Sequence, residues 1–226
     1  MDPTSARPIT ISVDDTPLRV SGLWQDAPDA KACFVMAHGA GAGMRQAFLE
    51  SLAAQLATLR IATLRYQFPY RDRGSKRPDP PKLCHAVVRA AVAEASRRTA
   101  LPLLAGGRSF GGRMTSQAQA EHPLPGVRGL VFLAFPLHPA KRPGDERARH
   151  LFDVNIPMLF LQGTRDELAE MTLLEPVVTK LGTRATLKVF EHADHSYHVP
   201  ARSGKRDADV LMEVAQTVAA WANTLL

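Results

Sequence analysis

Residues 101–114, LPLLAGGRSFGGRM, run from an apolar stretch into four glycines with one serine in their midst. Two readings of this stretch compete. Glycine tolerates positive φ and lets neighbouring segments approach closely, so a glycine-rich turn between a strand and a helix needs no chemistry to explain it. Alternatively, Gly107-Arg108-Ser109-Phe110-Gly111 fits G-x-S-x-G, the strained elbow that holds a nucleophilic serine above a parallel sheet. A pattern this loose recurs by chance. The second reading therefore needs a strand before it, a helix after it, an acid and then a histidine downstream, and an oxyanion-binding loop upstream.

Those elements can be sought outward from the elbow. The spacing predicts a strand over Leu101–Ala105, ended by the glycines, and a helix over 110–121. Upstream, Ala32–Ala37 is a short, continuously apolar run, as in a strand buried on both faces. It ends in His38-Gly39-Ala40-Gly41-Ala42-Gly43, and a helical stripe of Phe48, Leu49, Leu52 and Leu56 follows. A strand is expected over Ile61–Tyr66, then a helix that Asp79 would cap, with Pro80 and Pro81 in its first turn. Val127–Ala134, Met158–Gln162 and Thr186–Phe190 supply further strands, and a helix over 207–224 closes the chain. Ile9–Val20 alternates as a hairpin would, turning at Asp14-Asp15-Thr16-Pro17. Strands alternating with helices imply a mostly parallel central sheet covered on both faces.

Composition agrees with one domain over residues 1–226. With 45% hydrophobic and 22% charged residues, the chain can build a core. The N-terminal stretch carries Asp2, Asp14 and Asp15 without a continuous apolar run, which argues against a signal peptide or a membrane helix and for a cytoplasmic protein. Cys33 and Cys84 offer neither a disulfide framework nor a metal spacing, and both are expected to be buried. A formal charge of +6 raises the question of nucleic acid, but the cations are dispersed among acids and no aromatic-interleaved motif accompanies them. The exception is the basic loop Arg71–Arg77, which reads either as a solvated loop or as an electrostatic rim.

Two strands end in chemically rich loops. After Gln162 comes Gly163-Thr164-Arg165-Asp166-Glu167, where Asp166 is either a helix cap or a carboxylate at a strand's carboxyl end. After Phe190 comes Glu191-His192-Ala193-Asp194-His195-Ser196-Tyr197-His198, with three histidines. The order Ser, Asp, His, each after a separate strand, is the one this elbow requires. A serine hydroxyl needs an imidazole to accept its proton, and a carboxylate fixes that imidazole's tautomer. Oxyanion donors would be the Phe110 amide and one from the 38–43 loop, for which Ala40 is the first choice and Gly39 and Gly41 the next. The loop lacks both G-x-G-x-x-G and G-K-[ST], so neither a nucleotide nor any other cofactor is expected.

Taken in order, HGAGAGM, FPY at 68–70, GGRSFGGRM, FPLHP at 135–139, QGTRDEL and DHSYHVPARSGK resemble the α/β-hydrolases. Specifically, they resemble a small lidless group of testis-expressed hydrolase-like proteins related to dienelactone hydrolases. The resemblance implies an α/β-hydrolase fold without a cap domain and puts Ser109, Asp166 and His195 on the triad positions, His195 through the D-H-S segment. Dienelactone hydrolases use a cysteine nucleophile where this chain has Ser109, so their substrate is not carried over.

The expected activity is a serine esterase on small or accessible acyl substrates. A catalytically idle interaction module, and a thioesterase or small-peptide hydrolase using the same triad, are the alternatives. The segment between Ala134 and Met158 has room for a loop and a short helix, which implies an open site. Arg108, Tyr66 and His138 are the candidate substrate-binding residues, and Phe68 and Tyr70 could join Tyr66 in a pocket. Arg108, Arg113 and the 71–77 loop would either serve solubility and ion pairing or draw in a carboxylate-bearing ester.

Overall fold

The computed structural model describes residues 5–13 and 16–226. The N-terminal hairpin pairs β1 (Arg7–Ser12) antiparallel with β2 (Arg19–Gln25), Ile11 facing Val20. Asp14 and Asp15 of its expected turn lie outside the described residues. The chain continues through β3 (Ala32–Ala37), α1 (Ala47–Thr58), β4 (Ile61–Tyr66), the short α2 (Pro69–Asp72) and α3 (Pro81–Arg98). Then come β5 (Leu103–Arg108), α4 (Phe110–Glu121), β6 (Val127–Leu133), β7 (Met158–Gly163), α5 (Met171–Leu181), β8 (Ala185–Phe190) and α6 (Asp207–Ala222). Among the described residues the strands form one eight-stranded sheet in the order β1-β2-β4-β3-β5-β6-β7-β8. From β4 through β8 all neighbours are parallel.

Parallel strands bury both faces, and two apolar layers result. On one face α1 and α6 cover Phe34, Met36, Leu104, Val131 and Leu159. On the other, α3, α4 and α5 cover Val35, Leu64, Ala105, Phe132 and Phe160. Between β6 and β7 stands a 3-10 segment, Glu146–Asp153, and no cap domain is inserted.

The structure corrects two local expectations and adds one helix. Asp79 does not cap α3, whose N-cap is Pro80; its carboxylate instead accepts the Tyr70 amide at 2.8 Å and pairs with Arg73. Prolines at the helix start have no N–H for an acid to satisfy. Helix α5 falls in a stretch to which the sequence reading assigns no element; it carries Pro176 inside it, and Leu174, Val177 and Leu181 bury a coherent stripe. Finally, β5 is not ended by glycines but runs through Gly106 and Gly107 to Arg108. A Cβ at Gly107, where φ is +138°, would lie 2.2 Å from the Ala37 carbonyl oxygen. These glycines admit neighbouring strands, and the turn itself falls on Ser109.

Candidate active site

Ser109 occupies the junction between β5 and α4 with φ 50° and ψ −115°. That backbone is strained for a residue with a side chain. Asp166 follows β7, and His195 follows β8, so the carboxyl ends of three parallel strands bring the three side chains together. His195 Nε2 lies 2.9 Å from Ser109 Oγ, and Nδ1 lies 2.7 Å from Asp166 Oδ2. Because the carboxylate can only accept, Nδ1 carries the proton and Nε2 is left to accept from the serine. The other two histidines of the loop are elsewhere: His198 pairs with Asp207, and the His192 amide donates to Thr164 Oγ1.

Asp166 is 3% exposed and fully occupied. Besides His195 it accepts the Leu168 amide at 2.9 Å and the Gln162 side-chain amide at 2.5 Å. Gln162 was missed by the sequence analysis, although a lone amide at the end of the apolar run MLFLQ signals a buried polar partner. Its Oε1 also accepts the Phe135 amide at 3.1 Å, tying β7 to the loop after β6.

The loop after β3 lies against the elbow: a Cβ on Gly39 would sit 3.8 Å from Arg108 O and 3.9 Å from Ser109 Cβ. His38 sets its conformation. The Phe68 amide donates to His38 Nε2 at 3.0 Å, so Nδ1 holds the proton and donates to Gly39 O at 2.8 Å. Burial holds this imidazole down to a pKa of about 4, which keeps that tautomer neutral. The amides of Ala40 and Phe110 donate to no protein acceptor among the described residues. Phe110 is also the first residue of α4, where orphan N–H groups and the helix dipole favour negative charge. The Ser109 amide is already committed to Leu133 O at 2.9 Å.

A cavity of about 290 Å³ opens beside Ser109 and His195, lined by Gly39–Ala42, Gln46 and Arg108. Of the candidate substrate-binding residues, Arg108 is thus in its wall. Tyr66 is not: it is 1% exposed and faces the α3–α4 layer with Ala62 and Leu64. His138 is fully buried, donating from Nδ1 to Pro139 O at 2.9 Å and contacting Glu170 through Nε2. Phe68 and Tyr70 pack behind the His38 ring rather than in the cavity.

The chain belongs to the alpha/beta hydrolase domain family, whose model matches residues 30–223. Solved structures with the same fold include a dienelactone hydrolase from Anabaena variabilis, at 21% identity over 98% of both chains with a TM-score of 0.76. A lidless α/β serine hydrolase from Xanthomonas campestris matches at 21% identity over 96% of this chain and 95% of its own, with a TM-score of 0.73. The esterase domain of a Rhodothermus marinus protein matches at 15% identity, covering 96% and 98%, with a TM-score of 0.73. Among the described residues no helix is long and apolar enough to cross a membrane.

Proposed function

We propose that the chain, residues 1–226, acts as one α/β-hydrolase domain and is a serine esterase. The observation that carries this reading is the continuous relay Ser109 Oγ, His195 Nε2, His195 Nδ1, Asp166 Oδ2, at 2.9 and 2.7 Å. Ser109 Oγ attacks the ester carbonyl carbon while its proton passes to His195 Nε2. The oxygen that becomes negative is held by the Phe110 and Ala40 amides. Collapse breaks the bond to the alcohol, which leaves with the proton from His195. Water, deprotonated by His195, then releases the carboxylic acid and restores Ser109.

The mechanism calls on no metal or organic cofactor, and the open cavity suits a small ester or an accessible acyl group. We assign the chemistry to the cytoplasm, in keeping with Cys33 and Cys84 being buried free thiols. The test is labelling by a fluorophosphonate probe. Native protein is expected to label, and Ser109→Ala and His195→Ala are not. Failure of folded native protein to label would overturn the esterase reading and favour an interaction module.

A further inference from the structure

Arg108 stands directly before the nucleophile and is only 7% exposed. A buried cation ordinarily requires a counter-ion. Arg108 has none in direct contact among the described residues: Nη2 donates to His195 O at 3.3 Å and Ser196 Oγ at 3.1 Å, and the guanidinium lies 4.9 Å over the Phe48 ring. The nearby carboxylates are engaged elsewhere. Asp166 holds His195, and Asp194 Oδ1 accepts the Ser196 and His198 amides at 2.7 and 3.0 Å. Among the described residues Nε and Nη1 of Arg108 donate to no protein acceptor, although the side chain borders the cavity beside Ser109.

The surroundings carry the same sign. The walls of that cavity contain no Asp or Glu. Through Gly41, Ala42 and Gln46 it adjoins a cavity of about 520 Å³ whose walls include Arg45 and Arg71 and again no acid. Arg71 Nη1 donates to Ser75 O at 3.1 Å, while its Nε is buried without a partner. Neither Arg45 nor Arg71 pairs with a carboxylate among the described residues, whereas Arg73 of the same basic loop is paired with Asp79. A third cavity, which His195 also borders, has Glu167 and Asp194 in its wall together with Arg165. Acids thus enter only there, whereas the charged side chains around the cavity beside Ser109 and its neighbour are all cations.

We infer that the Arg108 side of the cavity is a carboxylate-recognition subsite, with Arg45 and Arg71 on its approach, so that the ester turned over here carries an anionic group. The inference deepens the esterase reading and rests on it for the identity of the reaction. A guanidinium with unused donors matches a planar carboxylate in geometry as well as charge.

The test compares matched esters by kcat/KM. The anion is placed in the acyl part by 4-nitrophenyl hydrogen adipate against 4-nitrophenyl hexanoate. It is placed in the alcohol part by 4-acetoxybenzoate against its methyl ester. In one of the two pairs the native protein is expected to prefer the anion by about tenfold, the scale of one charge-assisted contact. Arg108→Met lowers rates on both members, because it also releases the His195 loop, but is expected to erase the preference. Arg71→Gln leaves the Arg108–His195 contact in place and is expected to reduce the preference by a smaller factor. Equal or inverted preference in both pairs overturns the subsite.

A second readout does not depend on turnover. Calorimetric titration of Ser109→Ala with adipate at low salt is expected to register binding that weakens on adding Arg71→Gln or Arg108→Met. No binding at millimolar adipate overturns the subsite. Absence of turnover on every ester with adipate binding intact retires the esterase and upholds the subsite.

Discussion

The hydroxyl of Tyr70 donates to the carbonyl oxygen of Ala40 at 2.8 Å, and thereby fixes the Ala40–Gly41 peptide plane in the loop after β3. The preceding plane is fixed by His38, whose Nδ1–H holds the Gly39 carbonyl. In a trans peptide the N–H points opposite the carbonyl, so anchoring Gly39 O sets the direction of the Ala40 amide. Tyr70 and His38 thus fix the loop that the esterase reading requires as an oxyanion donor.

If that is their role, Tyr70→Phe should lower kcat on 4-nitrophenyl acetate by about fivefold, the worth of one hydrogen bond. This is well short of the hundredfold or greater loss typical of deleting an oxyanion donor outright. KM should change little. A larger effect on KM than on kcat would instead make Tyr70 part of a binding pocket.

Asp166 has a sharper signature. Asn in its place can still accept the Leu168 amide, but its NH₂ would face His195 Nδ1 and force the proton onto Nε2, toward Ser109. The imidazole could then no longer accept. The same NH₂ would meet the Gln162 side-chain amide donor against donor, so Asp166→Asn is expected to fold with a melting temperature a few degrees below native and to lose about 10⁴-fold in kcat, as a wrong-tautomer variant does. Retention of more than a tenth of native kcat would remove Asp166 from the mechanism.

The glycines separate by what surrounds them. A Cβ at Gly107 would meet Ala37 O at 2.2 Å and Ala37 N at 2.6 Å, all backbone of the adjoining strand β3. Neither can move without parting β3 from β5. Gly107→Ala is expected to cost more than about 4 kcal/mol, or about 10 °C or more in melting temperature. At Gly41 nothing lies within 4 Å of the added atom. Gly41→Ala is expected to melt within about 2 °C of native, since substitutions away from packed features stay near ±0.5 kcal/mol. Thermal unfolding of both variants checks the contrast.

How much of this was legible from sequence depends on whether the cause was local. Strand β3 follows the apolar run 32–37 to the residue, because parallel burial on both faces leaves no alternation to blur the ends, and β4 keeps the expected bounds 61–66 although Thr63 and Arg65 interrupt its apolar residues. The Ser-Asp-His order could be read because each member follows its own apolar run. Tyr66 misleads because strand parity decides its face: with Ala62 and Leu64 it points to the α3–α4 layer. The bracing of His195 by Arg108 spans 87 residues, the Gln162–Asp166 bond depends on a loop's conformation, and the Tyr70–Ala40 bond joins α2 to the loop after β3. No spacing rule encodes such contacts. The glycines at 106 and 107 were visible, but their reason, the backbone of two flanking strands, is tertiary.

The neutral state of His38 makes the site acid-sensitive in a predictable direction. Burial holds its pKa at about 4, against 6.5 for the free side chain. His150 is likewise held to about 4, first by burial and then by the Arg113 charge. As pH falls below 6.5, the unfolded imidazoles take up protons that the folded ones refuse until about pH 4. The unfolded state binds more protons throughout that window, so stability is full above it and declines as pH falls through it. By pH 5 each histidine should have removed about 2 kcal/mol. Urea unfolding at pH 7 and pH 5 measures the sum, and His38→Gln is expected to make the decline shallower by one histidine's share. Protonation of Nε2 would also turn the Phe68 amide from donor to unpaired group and free the Gly39 carbonyl's anchor to shift. An unchanged pH slope in His38→Gln would show that the imidazole titrates normally in the fold.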